Sequence, residues 1–271
     1  MDFFAGIAAR LCYPMEDLNH LFAHVPAVIA HRGANRRAPE NTLEAFRLAL
    51  KLGAQAVELD AMLSRDRVPV VIHDSHLERT TDGTGRVQDH TWPELRELDA
   101  GSKFSAAFRS ARIPQLQSVL EEIGREAWIN IELKNYTSRG DRLEEVVVNL
   151  VQRMGLQRKV LLSSFNPFSL GRAARLAPQL PRGLLTMSAM PFFLREGWFA
   201  FVAKPQSYNL QLEQSNAQSI RAAHARGARV CSWTVDDPAD AVRLAEQGVD
   251  GIITDEPDVI LAALGRATQS G

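Results

Sequence analysis

Short runs of β-branched and aliphatic residues recur along this chain, and helical patterns fill most of the intervals between them. The runs are Ala27–His31, Ala56–Met62, Ala127–Leu133, Lys159–Ser164, Arg182–Thr186, a weaker Ser207–Gln211, Ala228–Thr234 and Val249–Thr254. Helix signals sit where the alternation requires them. Asn41 reads as an N-cap, with Glu44 three residues on completing a capping box. Leu43, Phe46 and Leu50 then share a face, and Gly53 ends the helix. Asp237-Pro238 opens another helix and Gly248 closes it, while Gly227 closes a third. A chain that returns to a strand after each helix builds parallel βαβ units. Eight such strands within 271 residues predict a (β/α)₈ TIM barrel rather than an open doubly wound sheet.

The barrel is expected over residues 27–265, preceded by an extension over 1–26. One stretch breaks the rhythm. From Ser75 to about Arg112 the sequence turns polar, beginning with Thr80-Thr81-Asp82-Gly83-Thr84-Gly85. It exceeds an ordinary loop and reads as a small insertion after the second strand or a separate subdomain. No window is long and apolar enough to span a bilayer. Met1-Asp2-Phe3-Phe4 lacks the basic start of a secretory signal, so a cytoplasmic protein is expected. Phe3, Phe4, Ile7 and Leu11 fall at helical spacing and read as a short helix closing one end of the domain; an amphipathic anchor is the alternative. Lys+Arg number 31 and Asp+Glu 32, a balance with no electrostatic drive towards nucleic acid. The two cysteines, Cys12 and Cys231, are too few and too far apart for a disulfide framework or thiolate zinc site, and read as buried thiols. The oligomeric state stays open.

Catalytic groups in such a barrel lie at the C-terminal ends of the strands. The first strand ends in His31-Arg32-Gly33. The second carries Glu58 and Asp60 on one face, with Val57 and Leu59 on the other. Pro69-Val70-Val71-Ile72 leads into His73-Asp74, and the third strand places Glu132 and Lys134 on one face. Buried charge needs a partner or a metal. Three converging carboxylates, offset by one lysine, call for a divalent cation, and an all-oxygen shell selects a hard ion, Mg²⁺ or Ca²⁺. Strand-end acids solvated at a rim are the competing reading. His20, His24, His76, His90 and His224 lie outside this pattern.

Taken in order, these motifs resemble the glycerophosphodiester phosphodiesterase family. His31-Arg32-Gly33 with Pro39-Glu40-Asn41-Thr42 is similar to the family's opening signature, and Glu58-Leu59-Asp60 to its paired acids. His73-Asp74, Leu77, Arg79-Thr80-Thr81 and Gly83-Thr84-Gly85 resemble its next element. Ile131-Glu132-Leu133-Lys134, Ser163-Ser164-Phe165-Asn166, Trp233-Thr234-Val235 and Gly248 through Asp255 follow in family order. The resemblance covers about Ala27 to Ile260. It implies a barrel with an insertion after the second strand, which accounts for the 75–112 stretch. It further implies Glu58, Asp60 and Glu132 as metal ligands, His31 and His73 as general acid and base, Arg32 and Lys134 as phosphate-contacting cations, and Trp233 as a wall of the substrate pocket. The implied activity is metal-dependent hydrolysis of a small phosphodiester to glycerol 3-phosphate and an alcohol. Asp236 departs from the family's usual Asn, and Tyr208-Asn209-Leu210 stands where a His-Pro or Asn-Pro pair is usual.

Phe192, Phe193, Trp198, Phe199 and Phe201 cluster between the fifth and sixth strands. The spacing of Leu194, Trp198 and Phe201 predicts the core face of a helix. The alternative is an exposed lip for an acyl chain, giving a lysophospholipase D, or a membrane-touching patch. Two other readings of the site compete: a Schiff-base lyase using Lys134, and a barrel that binds phosphodiesters without cleaving them.

Overall fold

The computed structural model describes residues 15–135, 140–195 and 197–266; the expectations for Phe3–Leu11 and Cys12 lie outside them. Nine strands form: β1 (Ala27–His31), β2 (Ala56–Leu63), β3 (Pro69–Val71), β4 (Trp128–Leu133), β5 (Val160–Ser164), β6 (Arg182–Thr186), β7 (Ser207–Gln211), β8 (Arg229–Trp233) and β9 (Gly251–Thr254). All but β3 run parallel in chain order, and β1 pairs with both β2 and β9, so the sheet closes into a barrel. β3 is a short antiparallel strand on the projecting end of β2, pairing Ala61 with Val71 and Leu63 with Pro69. Apart from the weaker β7, whose bounds match the expected run, the parallel strands are largely buried, as expected when helices cover the outside of a closed parallel sheet.

The helices are α1 (Met15–Leu21), α2 (Leu43–Lys51), α3 (Trp92–Leu95), α4 (Leu116–Ile123), α5 (Leu143–Arg153), α6 (Pro167–Leu176), α7 (Phe192–Arg195), α8 (Ala200–Ala203), α9 (Ala217–His224), α10 (Pro238–Glu246) and α11 (Pro257–Ala263). Asp237 caps α10 as expected, accepting from the Ala239 N–H at 2.7 Å. The expected cap of α2 is corrected: Thr42, not Asn41, accepts from the Ala45 N–H at 3.3 Å. Leu18, Leu21 and Phe22 plug the N-terminal end of the barrel against Ile29, Ala56, Trp128, Leu161 and Cys231. Cys231 is a free, buried thiol, and burial pushes its pKa up to about 12.

The stretch after β3 builds its own small core from Met62, Val70, Ile72, Leu77, Val87, Leu95, Ala100 and Ile113. It is thus anchored to β2 and β3 by shared apolar contacts. The aromatic segment departs from expectation. Instead of one helix with a buried face, α7 and α8 are two short helices, and Trp198 and Phe201 are 61% and 73% exposed. Gly197 lies between them at φ +69°, a left-handed conformation that interrupts a continuing helix. The rings touch each other instead: Phe192 with Trp198 at 5.7 Å, and Phe199 with Phe168 at 5.4 Å. Beneath them the fully buried Arg182 donates to the carbonyls of Ala203 and Lys204 at 3.1 Å each, tying the end of α8 to the start of β6. No helix among the described residues is long and apolar enough to cross a membrane.

Candidate active site

The site is built where β1, β2 and β4 end. β1 stops at His31, and Arg32 and Gly33 follow with φ of +54° and +85°. A Cβ on Gly33 would lie 2.7 Å from the Ala45 carbonyl carbon, so glycine here lets α2 dock against the strand end. The connecting loop then folds back. The Asn41 N–H donates to the Arg32 carbonyl at 3.0 Å, and its side chain grips Asp60 twice. Asn41 Nδ2 donates to Asp60 Oδ2 at 2.8 Å, and Asn41 Oδ1 accepts from the Asp60 N–H at 3.2 Å. That grip is why Asn41 is not the helix cap.

Strand register brings the acids together. Asp60 pairs with Glu132 and Glu58 with Asn130 across β2 and β4. One oxygen from each of Glu58, Asp60 and Glu132 can be chosen so that all three lie within 4.8 Å of one another, and all three residues are buried. Lys134 Nζ sits 3.3 Å from Asp60 Oδ1 and 2.9 Å from Glu132 Oε1. Arg32 Nε lies 3.3 Å from Asp60 Oδ2, and the Arg32 N–H donates to Glu58 Oε2 at 3.1 Å. Burial opposes ionisation of Asp60, but Lys134 and Arg32 overcome it and hold its pKa well below the carboxylate range. Glu58 goes the other way: burial first, then the Asp60 charge, pushes it up to about 8. Glu132 is also raised, chiefly by burial. Three carboxylates face two cations, and the surplus negative charge adds to burial in lifting Glu58. An oxygen-only donor set with uncompensated charge fits a hard divalent cation.

The two histidines are held alike. His31 Nδ1 lies 2.6 Å from Asp255 Oδ1, and His73 Nδ1 lies 2.6 Å from Asp74 Oδ1. With a carboxylate on Nδ1, each ring keeps its proton there and leaves Nε2 for chemistry. Asp255 is itself fixed by Asn35 Nδ2 at 2.6 Å and through its own N–H, which donates to Asp236 Oδ1 at 2.8 Å. Asp74 is gripped by Arg79, which also donates to both oxygens of Glu40 at 2.7 and 2.8 Å; Glu40 in turn accepts from Arg32 Nη1 at 3.0 Å. The Arg79 hydrogen bond is the main reason that the Asp74 pKa falls to about 2. Burial works against protonation of His31, yet the Asp255 hydrogen bond and the Glu58 charge raise its pKa above 6.5. At His73 burial dominates and the pKa is lowered.

His31, Arg32, Glu58, His73, Glu132, Lys134 and Trp233 all line one cavity of about 390 Å³; Asp60 stands just behind the lining. None of the other five histidines reaches it. The apolar part of the lining is Phe165, Leu185, Met187, Met190, Trp233 and Ile253, with Phe165 and Trp233 edge to face at 5.5 Å. The lining also includes Asn130 and Ser163, whose Oδ1 and Oγ are buried without a hydrogen-bond partner. Lys134 is clasped by two carboxylates, which stabilise its ammonium form. A Schiff-base lysine must lose that proton to attack, so the lyase reading has no support here. Sequence reasoning gave no place in the site to Glu40, Asn41, Asp74, Arg79, Asp236 or Asp255. Asp255 ends a barrel strand and was open to the strand-end rule; the others sit in loops, where no periodicity marks them.

The chain as a whole is similar to proteins of known type. The sequence pattern of the glycerophosphoryl diester phosphodiesterase family matches residues 31–259. The chain belongs to that family. It is 38% identical over 237 residues to a glycerophosphodiester phosphodiesterase of Caldanaerobacter subterraneus subsp. tengcongensis, covering 86% of this chain and 96% of the relative. A phosphodiesterase of Oleispira antarctica, solved with the product sn-glycerol-3-phosphate, is similar at TM-score 0.79 and 34% identity over 90% of this chain and 99% of that one. A glycerophosphodiester phosphodiesterase of Agrobacterium tumefaciens is similar at TM-score 0.75 and 33% identity, covering 87% and 98%. This family member is therefore a hydrolase of glycerophosphodiesters, and the reading as a non-catalytic binding barrel falls away. Asp236, which departs from the family's usual Asn, here holds the backbone of Asp255 and accepts from the Thr254 hydroxyl at 3.0 Å.

Proposed function

We propose that His31 and His73 are the acid–base pair of this phosphodiester hydrolysis. The observation that carries the reading is the matched support of the two rings, each with Nδ1 on a carboxylate at 2.6 Å and each lining the cavity that holds the acidic cluster. Their environments push the two pKa values apart, and opposed shifts in a histidine pair set opposed roles. His31, raised, is the protonated partner and gives its proton from Nε2 to the departing alkoxide. His73, lowered, is neutral and takes the proton of the attacking oxygen at Nε2. Arg32 and Lys134 present fixed positive charge to the phosphate, and Trp233 walls the alcohol's side. Glu58, Asp60 and Glu132 would hold one divalent cation, Mg²⁺ or Ca²⁺. Such an ion supplies Lewis-acid polarisation of a phosphate oxygen when bound.

The test is direct. His31→Ala and His73→Ala should each lower turnover of glycerophosphodiesters by about 10²–10⁴, measured as glycerol 3-phosphate release. Wild-type rates in either variant would remove that residue from the pair. Assays with each cation and with chelator decide the ion. A second reading, hydrolysis of lysophospholipids at the same site, is favoured by one observation, the apolar half of the cavity at Phe165, Leu185, Met187 and Met190. Lysophospholipid turnover matching that of glycerophosphodiesters would support it. The site of action is proposed to be the cytoplasm, which fractionation of cells checks.

A further inference from the structure

Two side chains of the cavity have no place in the acid–base and charge machinery. Asn130 lies opposite Glu58 on the neighbouring strand, and Ser163 lies opposite Glu132, so both share the inward face that carries the acids. Asn130 is 5% exposed and Ser163 fully buried. Asn130 Oδ1 and Ser163 Oγ have no hydrogen-bond partner, although both line the cavity. Their neighbours behave differently. Ser164, one residue on and facing away from the cavity, donates to the Leu133 carbonyl at 2.9 Å, and Asn166 Oδ1 accepts from the Phe168 N–H at 3.0 Å. Buried polar atoms are nearly always paired, so two left open at one cavity wall point to a ligand that pairs them. An amide and a hydroxyl each both donate and accept, which is the complement of alcohol hydroxyls rather than of a charged group.

We propose that Asn130 and Ser163 bind the hydroxyls of the substrate's glycerol and select glycerol phosphates over phosphates whose carbon chain lacks hydroxyls. This rests on reading the cavity as the phosphodiester site. A pocket built to hydrogen-bond a hydroxyl rejects the analogue lacking it, because its buried polar atoms are then left unpaired. Asn130 and Ser163 are thus specificity-determining residues in a lining that they share with the apolar Phe165, Met187 and Trp233.

The experiment compares binding of sn-glycerol 3-phosphate and n-propyl phosphate, which share the phosphate and the three-carbon chain and differ in the hydroxyls. Calorimetry on the cation-loaded protein should give the wild type a preference of about tenfold or more for the glycerol compound. Ser163→Ala and Asn130→Ala should each reduce that preference by about 3- to 10-fold while propyl phosphate affinity stays within about twofold. Ser163→Ala removes one oxygen that bonds nothing, so it keeps the test valid even where Asn130→Ala does not fold. Equal affinities in the wild type, an unchanged preference in both variants, or equal weakening of both probes would overturn the proposal. A wild type that prefers the glycerol compound but cleaves no glycerophosphodiester would overturn the hydrolase reading instead and leave this one standing.

Discussion

At the scale of single residues, the site is a set of carboxylates with different tasks. Asp255 and Asp74 each carry a histidine and act to raise its pKa, although burial outweighs Asp74 at His73. The pH dependence follows. As the proposed base, His73 must be neutral, so kcat/KM should rise with pH through a pKa below 6.5. As the proposed acid, His31 must be protonated, so kcat/KM should fall through a pKa above 6.5. The profile is a bell, and Asp255→Asn should move its alkaline limb to lower pH while leaving the acid limb in place. A limb that stays put would detach Asp255 from His31. Asn41 grips Asp60 from behind, and removal of such a support costs about 10- to 100-fold in metal affinity. Asn41→Ala should therefore raise the cation concentration for half-maximal activity by that factor, read from activity titrations. The histidines and acids stood out in the sequence because they are polar residues within or directly after short apolar runs. Asn41 was misread because an Asn before a helix is ordinarily its cap, and nothing local reveals that its side chain turns to a strand 19 residues on.

At the scale of elements, strand order and most strand ends could be read from the chain, because each parallel strand is a short apolar run between helix stop and start signals. Even β7, the weakest run, formed at its expected bounds. The aromatic segment was misread for a physical reason. Leu194, Trp198 and Phe201 have helical spacing, but Gly197 breaks the helix and turns the rings outward. The two placements differ in stability by an easily measured amount. Trp198→Ala and Phe201→Ala should each change unfolding free energy by no more than about 0.5 kcal/mol, as exposed residues do. Phe46→Ala, in a fully buried ring of α2, should cost about 3–5 kcal/mol. Denaturant melts of the three variants check this, and a core-sized loss at Phe201 would restore the buried placement. The 75–112 stretch was legible as an insertion but not in its use. Its Arg79 reaches back to Asp74 and Glu40, and so braces both His73 and Arg32.

At the scale of the whole molecule, the closed barrel concentrates charge at one end and apolar packing at the other. α1 and Phe22 seal the end away from the acids, so polar strain in the fold collects where Glu58, Asp60 and Glu132 meet. A cation that binds the folded site and not the unfolded chain must stabilise the fold, by about 2.7 kcal/mol at one hundred times its Kd. Thermal unfolding should shift upward with added Mg²⁺ or Ca²⁺, and Glu132→Gln should blunt that shift; a Tm indifferent to both ions would contradict the metal site. Barrel closure also sets when competence is acquired. The carboxylate that orients His31 lies 224 residues further along the chain, just past the strand that completes the ring. A polypeptide still emerging from the ribosome thus carries His31 without a steering partner, and hydrolysis has to wait until the segment that closes the barrel has been made.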